Sequence, residues 1–258
     1  MEFNYREIRR EAWLLTKDNS HLFIMSAIMC VIGAVLNWCC GEWITYSLRG
    51  MMKTEAELAI KEFLLLPMQY TFYVACLRVA DNREKLPWWE VFAAYIKHPK
   101  QSWLLPLVKK LIVTVIGVFT LGIGGIIVAY AYSMVFYIAD EHPDMSIDNI
   151  LSKSSSLVKG YKWKIFVLDL AFVGWLALAV VVDVIVVTLS NNALPSGDIT
   201  LLGMIIVSPY WRTARALMYK QLCTIQTAEI SIEAEVTEVT EVTEVKTVST
   251  PVQQENVQ

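Results

Sequence analysis

The chain has 258 residues, 55% of them hydrophobic and 18% charged, with a mean hydropathy of +0.45. Soluble domains run near 45–50% apolar, so this composition excludes an ordinary water-soluble globule. The net charge of −3 averages a cationic, apolar body against an acidic tail, and the absence of a basic groove with interleaved aromatics excludes nucleic acid as a partner.

A helix needs about 20 apolar residues to cross a bilayer. The first such run, Leu22 to Cys40, follows an amphipathic stretch from Tyr5 to Leu15. It is longer than a signal-peptide core, and Leu36-Asn37-Trp38 ahead of Cys39 is too bulky for a lipoprotein cleavage box, so it is expected to remain as a span. Phe63 to Ala80 supplies a second crossing. The run from Trp103 to Ala139 would be about 55 Å long as one helix. Leu121-Gly122-Ile123-Gly124-Gly125 breaks it, because glycine reaches backbone angles that other residues avoid, and two crossings or a re-entrant hairpin result. Ile165 to Leu189 and Leu201 to Leu222 complete six segments in three hairpins. Cys30, Cys39, Cys40, Cys76 and Cys223 lie mostly in apolar runs at no metal-ligand spacing and read as small hydrophobes.

Charge sets the orientation. With six crossings, one side receives sixteen basic residues, in clusters from Arg6 to Lys17, Arg78 to Lys100, Lys153 to Lys164 and Arg212 to Lys220. The other side receives Arg49, Lys53 and Lys61. Cytoplasmic loops carry the Lys and Arg excess, which puts both termini in the cytoplasm and the protein in the cell membrane. Short amphipathic stretches, Tyr5 to Leu15, Trp88 to Ile96 and Ile147 to Val158, precede the first, third and fifth spans and lead into Lys17, Lys97 and Lys159. They suggest an interfacial helix followed by a helical hairpin, used three times. Ser146 is placed to cap the third of these helices and Gly160 to end it.

Asp169 lies within the fifth span, where a charge needs a partner, and Arg212 or Arg215 in the sixth is expected to supply it. Such a pair reads as a structural clamp, with an ion or proton pathway as the alternative. Lys109 and Lys110 are expected to snorkel to lipid headgroups, or to form a basic pocket for anionic lipid, and Asp183 to be solvated near the outer end of its span. Gly125, Ala129 and Ser133 recur every four residues, a small-residue stripe for close helix packing. Asp140, Glu141, His142 and Asp144 are interrupted by Pro143 and read as a solvated loop rather than a metal site. Trp38, Trp43, Trp88, Trp89, Trp103, Trp163 and Tyr161 mark an interfacial aromatic belt. Signatures of nucleotide-binding, zinc-protease and serine-hydrolase sites are missing from the sequence, and no enzyme activity or cofactor is expected.

One stretch carries a family resemblance. Ala129-Tyr130-Ala131-Tyr132-Ser133-Met134, the loop Asp140 to Pro143, Leu157 to Phe166, Leu170 to Trp175, and Pro209-Tyr210 followed by Tyr219 resemble, in order and spacing, the bacterial integral-membrane family catalogued as domain of unknown function 975. The resemblance extends from about Ala12 to Leu222 and implies a multi-pass membrane protein without an assigned reaction. Gly124-Gly125 stands where that family has proline-glycine, and the Val180 to Asp198 segment is longer and more polar at its end.

After Leu222 the composition turns to Val-Thr-Glu repeats, and a period of three fits neither an amphipathic helix nor a clean strand. The expectation is a disordered cytoplasmic tail. The chain thus divides into an interfacial helix at 1–21, an all-α transmembrane bundle at 22–222 and the tail at 223–258. Its expected partners are membrane lipid and, through packing faces, a second copy or another membrane protein. Two functional classes fit: a non-enzymatic module working through helix and lipid contacts, and a small transporter with a path at the broken helix near Gly122 to Gly125.

Overall fold

A computed structural model describes residues 4–47, 51–82, 87–89, 99–190 and 198–248, all helix and connecting turn with no strand among them. Its helices are α1 (Tyr5–Asp18), α2 (His21–Ser47), α3 (Met51–Ala80), α4 (Leu105–Phe119), α5 (Ile123–Ala131), α6 (Val135–Glu141), α7 (Ile147–Leu157), α8 (Lys162–Leu189) and α9 (Asp198–Val248). A short π-helical turn, Lys100–Leu104, leads into α4. Beyond Trp88 and Trp89, which are exposed, the middle amphipathic stretch lies outside the described residues, as do the loop 191–197 and the side chains of Trp38 and Trp43.

Among the described residues, four segments are long and apolar enough to cross a membrane: Phe63–Ala80, Lys100–Phe119, Ile123–Glu141 and Lys162–Leu189. Counting α1 and α2 together, which meet at an 84° bend, brings the number to five. The sixth expected segment lies within α9, where Arg212 and Arg215 lower its hydropathy.

The distribution of apolar surface fits lipid as the solvent. Within the candidate spans, 67% of Phe63–Ala80 but only 11% of Lys162–Leu189 is buried inside the protein. Leu111, Val118, Phe119, Ile126, Trp175, Val184 and Leu189 are all exposed on α4, α5 and α8, and large exposed apolar surface is rare on water-soluble monomers. The core instead gathers between α3, α6 and α9, around fully buried Phe72, Leu77, Tyr137, Ile138 and Tyr219. Against this core α1 packs Ile8, Ala12 and Thr16 on one face, and Trp13 meets Tyr210 edge-on at 5.6 Å.

The glycine-rich break divides the long apolar run as the sequence suggests. Leu121 and Gly122 turn with positive φ of 51° and 92°, and the Gly122 amide donates to the Gly117 carbonyl at 2.7 Å. At the neck of this hairpin a Cβ on Gly125 would lie 2.8 Å from Gly117 Cα and 3.1 Å from the Val113 carbonyl oxygen, so two backbones touch there. The packing stripe is only partly continuous. Gly125 and Ala129 lie on α5, but α5 ends at Ala131 and a turn at Tyr132–Met134 precedes α6, leaving Ser133 buried beyond the helix. The Ser154 hydroxyl reaches from α7 to the Ala131 carbonyl at 2.9 Å, supplying a donor where the helix is interrupted.

Two termini differ from the sequence reading. Ser146 has the extended backbone of an N-cap, yet its hydroxyl makes no capping bond; Gly160, at φ 82°, does turn the chain between α7 and α8. The tail is helical through Val248 rather than disordered. Extending an existing helix adds one hydrogen bond per residue fixed and avoids the nucleation cost, which a composition-based reading of residues 223–248 in isolation leaves out.

Gly125→Leu is expected to lower stability by about 1–3 kcal/mol, the usual cost of overpacking, whereas Gly174→Ala, with open space around its Cβ, should melt like the parent. Thermal unfolding in detergent compares the two; equal melting would dismiss the backbone contact as the hairpin's fastening.

Candidate functional site

The site centres on a carboxylate. Asp169 lies seven residues after Lys162, the first residue of α8, about 10 Å along the helix, and is 4% exposed. Arg215 of α9 donates to it through Nε at 2.9 Å and through a second bond from Nη2 to the other oxygen. Trp211 Nε1 adds a third bond at 2.7 Å. Trp211 and Arg215 stand four residues apart, so one face of α9 presents both, and the guanidinium lies 4.8 Å from the indole centroid. This fork-to-fork geometry is the strong form of an Arg–carboxylate pair.

Arg212 plays a different part. Three residues before Arg215, it projects at a different angle around α9 and stacks on Phe72 and Tyr73 of α3, at 4.4 and 4.7 Å from their centroids. Its Nε and Nη1 are buried without a hydrogen-bond partner. Its backbone carbonyl accepts from Tyr137 of α6 at 3.1 Å. Of the two arginines expected to pair with Asp169, the structure therefore selects Arg215.

Lys109 and Lys110 part company. Lys110 is exposed, but Lys109 turns inward and sits 4.7 Å from the centroid of buried Phe136, so the expected snorkelling of Lys109 is corrected. Neighbours on a helix point about 100° apart, and only one of two adjacent lysines can face the membrane squarely. Asp183 is also corrected: it is 6% exposed rather than solvated. It lies fourteen residues after Asp169, close to four full turns, and so shares the inward face of α8.

The acidic loop is no solvated spacer. Asp140 pairs with Arg78 of α3 at 3.5 Å, Glu141 accepts from the Tyr219 hydroxyl of α9, and His142 Nε2 faces Lys153 Nζ of α7 at 2.6 Å. Lys220 reaches Asp81 and the Ala80 carbonyl, both at 2.9 Å, while Gln101 donates to the Pro143 carbonyl at 2.7 Å. These bonds form a polar clasp joining α3, α6, α7, α9 and the turn into α4. Among the described residues, no three His, Cys, Asp or Glu side chains converge on a metal position. Sequence reasoning missed Trp211, Tyr137, Tyr219 and Arg78; Trp211 could have been found from its four-residue spacing to Arg215, the others only from the packing of α3 on α6 and α9.

Breaking a buried pair leaves the surviving charge uncompensated. Asp169→Ala should cost about 3–5 kcal/mol, and Asp169→Ala with Arg215→Met clearly less. Asp169→Asn and Arg215→Gln should each reduce membrane abundance and melting temperature, and if neither moves either quantity the clamp is not structural.

A family model described as "Protein of unknown function (DUF975)" matches residues 91–226, from before α4 into α9, and so covers Asp169, Arg215 and the clasp loop. No curated protein and no solved structure matches the chain. With more than half of its residues covered, the chain belongs to the DUF975 family of proteins of unknown function.

Proposed function

We propose that the chain is a six-span protein of the cell membrane with both termini in the cytoplasm, acting without catalysis through helix and lipid contacts. Exposed apolar surface on α4, α5 and α8 supports the membrane setting. On this reading α9 contributes the sixth crossing, α1 and α7 are the interfacial helices, and the clasp faces the cytoplasm. Arg212 and Arg215 lie inside the bundle and leave the count of cytoplasmic bases, yet the remaining excess keeps the same direction.

The observation that carries the non-enzymatic reading is the closure of the charged centre. Both Asp169 oxygens are held by Arg215, with Trp211 on one of them, which leaves the carboxylate committed to helix packing rather than poised for proton transfer. The glycine break expected to line a transport path lies at a hairpin tip where Leu121 is 95% exposed; this too favours the module over the transporter. One observation favours transport as a second reading: Arg212 offers two buried, unpartnered N–H groups over Phe72 and Tyr73, in a bundle whose α5–α6 segment is interrupted at Tyr132–Met134. Discontinuous helices and unpaired charges accompany substrate paths in known transporter architectures.

A membrane-impermeant label directed to cysteines placed near Ser155 and near the N-terminus tests the orientation. Neither position should react in intact cells and both should react after permeabilisation; reaction at one alone defeats the six-span arrangement. Proteoliposomes should pass no more chloride or phosphate than protein-free vesicles, and a flux abolished by Arg212→Gln would replace the module with a transporter.

A further inference from the structure

A groove of about 730 Å³ lies between α7, the start of α8 and the middle of α4, within the size range of ligand pockets, about 300–1,000 Å³. Its walls include Ser152 and Ser155 of α7, Lys159 and Lys162 at the start of α8, Asp148, and Ile112 of α4. Ser152 and Ser155 are three residues apart and share a helix face. Neither lysine is engaged by a carboxylate among the described residues, and Asp148 lines the same groove without pairing with either. Two ammonium groups without a carboxylate partner line one groove with two serines, a set of donors that suits a phosphate.

The surroundings say where that phosphate comes from. Trp163, 70% exposed, follows Lys162 directly, and such tryptophans sit at headgroup depth. Beyond Ile112 the groove opens onto the apolar flank of α4, where Leu111 and Val115 are exposed. A free phosphate would have no use for that flank; an acyl chain would lie along it.

We propose that this groove binds the headgroup of an anionic phospholipid, Lys159 and Lys162 pairing with its phosphate, the α7 hydroxyls taking its polar substituent and the α4 flank its acyl chain. This rests on the membrane reading above and adds the lipid class to it.

The full chain, purified in a neutral detergent, is titrated with dioctanoyl phosphatidylglycerol, dioctanoyl phosphatidylcholine and inorganic phosphate, with thermal stabilisation and mass-resolved lipid adducts as readouts. Phosphatidylglycerol alone should stabilise the protein and persist as an adduct. Lys159→Gln with Lys162→Gln should weaken that binding about tenfold or more, given about 1 kcal/mol per basic residue near an anionic surface. Arg6→Gln with Arg10→Gln removes the same charge from an exposed face of α1 and should leave binding unchanged. Ser155→Glu, which puts a carboxylate in the groove while keeping both lysines, should also suppress it. Equal stabilisation by phosphatidylcholine, equal stabilisation by phosphate alone, or equal loss in the α1 variant each overturns the proposal. Membrane fractionation of the same variants separates the two readings: lost lipid discrimination with intact membrane retention sinks the groove alone, whereas lost retention of the parent chain sinks the membrane assignment beneath it.

Discussion

The bundle depends on a carboxylate placed where water does not reach. An ionised group in hydrocarbon is costly unless another charge and good hydrogen bonds meet it. Asp169 is met on both oxygens, by Arg215 twice and Trp211 once. Because Trp211 and Arg215 come from adjacent turns of α9, their two directions fix how far α8 and α9 can slide or rotate against each other. Apolar contacts between these helices would tolerate a shift of one turn. The pair does not, since the same shift would leave a bare carboxylate facing aliphatic side chains. On the membrane reading proposed above, where helices gain little from merely hiding apolar surface, such polar contacts matter more for specifying register than for total stability.

Around that fixed pair, two other kinds of contact complete the arrangement. Gly117 and Gly125 bring α4 and α5 so close that no side chain fits between them, so van der Waals contact adds to the Gly122–Gly117 hydrogen bond in holding the hairpin together. Arg212, stacked on Phe72 and Tyr73, holds α9 against α3 through the ring quadrupoles. Aromatic neighbours extend this packing, with Tyr73 against Phe136 at 4.9 Å and Tyr137 against Tyr219 at 5.3 Å. Unlike the Gly117–Gly125 contact, the Arg212 and aromatic contacts join helices that are far apart in sequence.

The apolar runs were legible because length and hydropathy are written in the chain: the run expected at Phe63 to Ala80 lies within α3, Met51–Ala80, and is apolar enough to cross a membrane. The hairpin break at Gly122 was legible because positive φ leaves few alternatives to glycine. Asp169 was found as a charge needing a partner, but the choice between Arg212 and Arg215 depends on rotation about α9, which hydropathy does not encode. Lys109 and Asp183 were misplaced for the same reason: depth can be counted along a chain, whereas facing depends on neighbours. The break at Tyr132–Met134 escaped notice because those residues carry no glycine or proline, and its stabilising bond comes from Ser154, over twenty residues away. The helical tail shows the converse, a segment whose conformation follows from what precedes it rather than from its own composition.

The polar clasp has a mechanical consequence. Arg78, Gln101, Glu141, Lys153 and Lys220 tie the helices at one end of the bundle, while the α4–α5 hairpin tip carries exposed Val118, Phe119, Leu121 and Ile123 and no charged group. A frame riveted at one end yields first away from the rivets. On the membrane reading proposed above, a change in bilayer thickness would be taken up away from the clasp, with the riveted end keeping its shape.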